Sequence, residues 1–137
     1  MNKIEMISVF KRIINEAFNN QKFDVLKEVF NPEYKEHQFG MPPTLEGAQA
    51  SINSLHQSFP DFKLTIEDVT ADENKVWARM TGRGTNKGGF MGPPNGKSFE
   101  ITVVDIVQFR DGKIVDHWGV PDRFALISQL GLMPSRG

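Results

Sequence analysis

Asp105, His117 and Asp122 are the side chains whose types and spacing best suit chemistry. Period-two alternation from Phe99 to Phe109 puts Asp105 on a face otherwise made of Phe99, Ile101, Val103, Val107 and Phe109. A carboxylate there is poorly solvated, which favours its neutral form and raises its pKa. Held neutral, it can donate a hydrogen bond to a developing oxyanion. The other reading is a buried Asp bonded to a backbone group or to an arginine such as Arg79. His117 lies in Asp116-His117-Trp118-Gly119-Val120-Pro121-Asp122. Imidazole is the usual acid/base near neutral pH, and a nearby carboxylate can share that work. His117 also reads as a satisfied sheet histidine, and Asp122 as the N-cap of a closing helix. His37 precedes a Gly/Pro loop, which suits a pocket rim or an open surface.

The elements that position these residues follow from periodicity. Ile7, Phe10, Ile14, Ala17 and Phe18 mark an amphipathic helix that ends at Asn19-Asn20. A short helix spans Phe23 to Phe30 and stops at Asn31-Pro32; Tyr34 to Pro43 reads as strand then loop. Thr44 caps a third helix that runs to Ser58. The period then changes to two. Strands are predicted from Phe62, over Val76 to Thr85, Phe99 to Phe109 and Lys113 to Gly119, the last two joined by Asp111-Gly112. Alternation in the last strand sets Val115, His117 and Gly119 on one face and Ile114, Asp116 and Trp118 on the other. A closing helix, Asp122 to Leu130, is capped by Gly131. Helices followed by antiparallel strands predict an α+β fold, a curved antiparallel sheet covered on one side by the N-terminal helices. The hollow they leave is the place for a ligand.

Composition narrows the function. The chain has 137 residues, the length of a single domain (1–137), and a net charge of −1, unlike the basic footprint of a nucleic-acid binder. No Cys is present, which removes disulfide scaffolds and cysteine nucleophiles. Charged residues interrupt the N-terminal segment and no apolar run suits a membrane span, so a cytoplasmic protein is expected. The histidines lack zinc-like spacing, and no metal site is expected; His37, His117 and Asp122 could form one only by meeting in space. Gly96-Lys97-Ser98 lacks the first glycine of a P-loop. Phe is abundant, with 11 residues. Phe10, Phe18, Phe23 and Phe30 fall on helix faces, whereas Phe99 and Phe109 share the face of Asp105.

The sequence resembles the SnoaL-like polyketide cyclases, within the ketosteroid-isomerase and nuclear-transport-factor-like superfamily. The matching pieces run in order over nearly the whole chain. They are His37 with its Gly/Pro loop, Gly47, Phe59-Pro60-Asp61, the loop from Gly84 to Lys97, Asp105 to Phe109, Asp111 to Trp118, Asp122, and Gln129-Leu130-Gly131. The resemblance implies an α+β cone of cystatin-like type, paired into a homodimer through its sheet, with an apolar pocket and no cofactor. It also implies that Asp122 is the acid/base of an intramolecular aldol closure and that Asp105 stands where the isomerases bind an oxyanion. Two residues depart from the family pattern: Asn86 replaces a common histidine and Asn95 a common threonine.

The expected activity is cofactor-free cyclisation or isomerisation of a small apolar carbonyl compound. Asp122 would move the proton while Asp105 or His117 steadies the enolate. His37, Phe39, Met80, Phe90, Val103, Val107 and Trp118 are the expected substrate contacts. The alternatives are a non-catalytic module that binds an apolar ligand or dimerises, and an epoxide hydrolase on the same fold.

Overall fold

Alternating apolar and polar residues build most of the molecule. The computed structural model describes residues 1–134, so the last three residues of the expected domain lie outside the described residues. Its strands are β1 (Phe30–Glu36), β2 (Lys63–Asp72), β3 (Lys75–Thr85), β4 (Ser98–Arg110) and β5 (Lys113–Pro121). They form one sheet in the order β1-β5-β4-β3-β2. The expected α+β architecture holds, with one addition: β1 pairs with β5 in parallel, while the other neighbours are antiparallel. The second helix ends at Val29, one residue short of its expected limit, and Pro32 sits inside β1. Proline is tolerated there because β1 is an edge strand.

The helices α1 (Lys3–Arg12), α2 (Asp24–Val29), α3 (Leu45–Ser58) and α4 (Arg123–Gln129) are set by local signals. Asn2 and Glu5 cap α1 reciprocally, and Thr44 accepts the Gly47 N–H at 3.0 Å to start α3. Beyond Arg12 the first helix widens into a π-helical turn, Ile13–Phe18, which brings Ile13, Ile14 and Ala17 all to the core. Asn19 then clamps the segment to β2: its side chain exchanges two hydrogen bonds with the Leu64 backbone, at 2.9 and 2.8 Å.

Helix α1 packs on β2 and β3, and α4 on β4, so one sheet face becomes the core. Met6, Phe10, Ile14, Ile52, Phe59, Val76, Met80 and Ile114 are fully buried between them. Phe59 stacks edge-on against Phe99 at 4.8 Å and touches Phe90 at 5.2 Å, tying α3, β4 and the Gly/Pro loop together.

Alternation in β4 is as expected, with Phe99, Ile101, Asp105, Val107 and Phe109 buried on one face. In β5 it breaks. Gln108 pairs with Asp116 but Phe109 pairs with Ile114, so Val115 is an extra residue. That bulge turns Ile114 to the same face as His117, and both are buried. The expected placing of Ile114 beside Asp116 and Trp118 is corrected on this point. A similar shift in β2, between Ile66 and Asp68, helps bend the other end of the sheet.

Candidate active site

Asp105 lies mid-strand in β4, between Ala78 of β3 and Gly119 of β5. Both neighbours are small, and the Gln38 side chain lies over Gly119 in the place a Cβ would take. His117, two positions before Gly119 on the same face of β5, reaches back with Nε2 to Asp105 Oδ2 at 3.3 Å. Its Nδ1 meets Glu36 Oε2 at 2.6 Å. Glu36 arrives from β1, directly beside His117 in the parallel register. The Glu36 carboxylate also accepts the Tyr34 hydroxyl at 3.3 Å and the Gln38 backbone N–H at 3.0 Å. The three side chains form a buried row: their relative exposures are 2% for Glu36, 9% for His117 and 7% for Asp105.

A cation flanked by two carboxylates dominates the electrostatics. Burial alone would depress the His117 pKa, but the charge and hydrogen bond of Asp105, and then of Glu36, more than reverse it and push it up to about 10. His117 is therefore an imidazolium at neutral pH, donating from both nitrogens. Tyr34 shifts upward as well, first from burial and then from the neighbouring charge of Glu36. The expectation for Asp105 counted solvation only; the structure adds a cation against its carboxylate. Arg79, the other candidate partner, instead pairs with Asp68 at 2.7 Å.

Above this row lies a cavity of about 360 Å³. Phe18, Ile52, Leu55, Phe59, Phe62, Leu64, Phe90, Phe99, Ile101 and Val103 make its apolar wall. Its polar lining comes from Gln38, Ser51, Ser54, Asp105 and Arg123. A second space of about 30 Å³, large enough for a water, lies deeper and is lined by Tyr34, Glu36, Val107 and His117. Asp105 lines both. Its Oδ2 faces His117, whereas Oδ1 accepts no hydrogen bond among the described residues.

The expected site residues thus separate into groups. Asp105, Val103 and Phe90 line the larger cavity, and His117 and Val107 the smaller one. Met80 is fully buried core and is absent from both walls. Phe39 is 86% exposed, with Arg123 over its ring at 6.0 Å. His37 and Trp118 stack at 4.6 Å away from either cavity, and His37 Nε2 meets Asp116 Oδ1 at 2.9 Å. Asp122 is exposed and caps α4, its Oδ1 accepting the Ala125 N–H at 3.0 Å. Pro121 and Arg123 line the cavity but Asp122 does not. His37, His117 and Asp122 each have separate partners and do not converge. Among the described residues no group of His, Cys, Asp or Glu is arranged to hold a metal ion.

Periodicity in the sequence does not single out Glu36 and Gln38. Their one local signal is that Tyr34, Glu36 and Gln38 share parity, and a parallel edge strand is not legible from alternation. Asn86 and Asn95, the two departures from the family pattern, form an internal clasp. Asn86 donates to Asn95 at 3.2 Å and accepts the Gly89 N–H at 3.1 Å, while Asn95 donates to the Leu130 carbonyl at 2.9 Å. They fix the Gly/Pro loop to the end of α4.

A curved sheet thus carries the buried Glu36-His117-Asp105 row beneath an apolar cavity. The model of the SnoaL-like polyketide cyclase family matches residues 8–130, and the chain belongs to that family. Among solved structures, TsrD from Streptomyces laurentii is 27% identical, covers 97% of this chain and 99% of its own, and superposes with a TM-score of 0.86. IdmH from Streptomyces antibioticus, described as a proposed polyketide cyclase, is 31% identical over 91% of this chain and 97% of its own, with a TM-score of 0.81. AclR from Streptomyces galilaeus, described as a proposed hydroxylase, shares the fold at 24% identity, 98% and 89% coverage and a TM-score of 0.84. None of the curated proteins compared matches this chain.

Proposed function

We propose that the protein cyclises or isomerises a small apolar carbonyl compound by general acid/base catalysis, with Asp105 moving the proton. One observation carries this reading: a carboxylate with one oxygen held by His117 and the other unengaged at the wall of an apolar cavity. Oδ1 takes a proton α to the carbonyl. The electrons of that C–H bond pass into the carbonyl, giving an enolate. The enolate carbon then bonds to a second carbonyl carbon of the same molecule, and the resulting alkoxide takes the proton back from Asp105. In isomerisation the proton returns to a different carbon instead. The His117 imidazolium holds the carboxylate in place and offsets its charge, Glu36 orients the imidazole, and the Phe-rich walls exclude water.

The membership in a cyclase family supports this choice of reaction class, and the lining supports an apolar substrate. In the same reading no cofactor is needed. The chain also pairs with a second copy through the outer sheet face, where Trp77 is 45% and Val120 is 64% exposed. Proton exchange tests the reaction. Small apolar ketones and diketones are incubated with the protein in deuterated water containing a chelator, and α-deuteration is followed by mass spectrometry. Protein-dependent exchange is expected, falling by ~10²–10⁴ in Asp105→Asn. Binding without exchange would favour a non-catalytic binding module.

A further inference from the structure

We infer that Gln38 is a further catalytic residue, donating from its side-chain amide to the enolate oxygen formed beside Asp105. Its role rests on Asp105 being the proton-moving group. The backbone of Gln38 is pinned at both ends: its N–H donates to Glu36 Oε2 at 3.0 Å, and its carbonyl accepts the Met41 N–H at 3.2 Å. The same Glu36 carboxylate holds His117. One side chain therefore sets the position of both the imidazolium and the Gln38 backbone.

The Gln38 side chain lines the cavity and makes no hydrogen bond among the described residues. It lies across Gly119, the residue paired with Asp105. A Cβ at Gly119 would run into Gln38 Oε1 and come within 3.0 Å of Asp105 Oδ1. The bare glycine is what lets an amide and a carboxylate share this corner. A half-turn of the terminal amide turns an Nε2–H donor toward an oxygen next to Oδ1. Arg123 also lines the cavity but is exposed and bonded to the Phe39 carbonyl at 2.7 Å, whereas the Gln38 amide shares the Gly119 corner with Asp105 Oδ1.

Anion binding tests this without turnover. Asp105→Asn imitates the carboxylic acid present once the proton has been taken, and serves as the background. Nitrophenol supplies the probe, since its ionised form resembles an enolate and its two forms absorb differently. Adding Gln38→Leu is expected to weaken nitrophenolate binding roughly tenfold or more, the worth of a hydrogen bond to a charged group, and to leave neutral nitrophenol unchanged. Equal loss of both forms, or no loss of either, overturns the role of Gln38. In the proton-exchange assay Gln38→Leu in the otherwise native protein should lower kcat by ~10²–10³ with little change in KM. An Asp105→Asn protein with native exchange would instead overturn the base, whatever Gln38 does.

Discussion

His117 is charged because of where its neighbours stand, and that has a consequence for stability. A group whose pKa is higher in the folded protein contributes stability that is complete below its unfolded value, 6.5, and is lost as pH rises through about 10. Thermal midpoints should therefore fall between pH ~7 and ~9.5, and His117→Gln should flatten that fall. An unchanged slope in His117→Gln would show that other groups cause it. Asp122 makes a different prediction. Asp122→Ala should cost ~1 kcal/mol in urea denaturation through loss of the α4 cap, whereas Asp122→Asn should cost little because asparagine caps equally well. The inward facing of Asp105 was legible because strand parity is strict over β4. The chemistry around it was not: Glu36 lies 81 residues from His117 in sequence, and only the parallel pairing of β1 joins them.

At the scale of elements, the Gly/Pro loop is held by few contacts that each matter. Asn86 is fully buried, and it bonds Asn95 and Gly89 while its own backbone N–H and carbonyl reach Lys97 and Gly96. Asn86→Ala leaves buried amide partners unmatched and should destabilise the protein by ~1–3 kcal/mol. A change below a few tenths would mean the clasp carries no weight. Asp61, from the Phe-Pro-Asp motif, fastens the start of the same loop, since its carboxylate accepts the Thr85 N–H at 2.7 Å and hydroxyl at 2.8 Å. Sequence periodicity located the helices and hairpins well, because caps such as Thr44 and the positive-φ turn Asp111-Gly112 are local signals. Bulges are not. One extra residue, Val115, reversed the facing of Ile114, and nothing in the pattern of β5 marks it.

For the whole molecule, the abundance of Phe divides between core and cavity wall. Phe10 and Phe30 are packed as core, while Phe18, Phe59, Phe62, Phe90 and Phe99 face the larger cavity. Assembly belongs to this scale too. If two copies meet through the outer sheet face, Trp77→Lys should shift the protein from dimer to monomer in sedimentation without changing its fold; a dimer that survives would place the interface elsewhere. The division of labour between Asp105 and Asp122 is tested most directly by comparing Asp105→Asn and Asp122→Asn in the deuterium-exchange assay. Asp105→Asn is expected to lose exchange by ~10²-fold or more while Asp122→Asn stays near the native rate. Native exchange in Asp105→Asn, with the loss in a folded Asp122→Asn, would contradict Asp105 as the base.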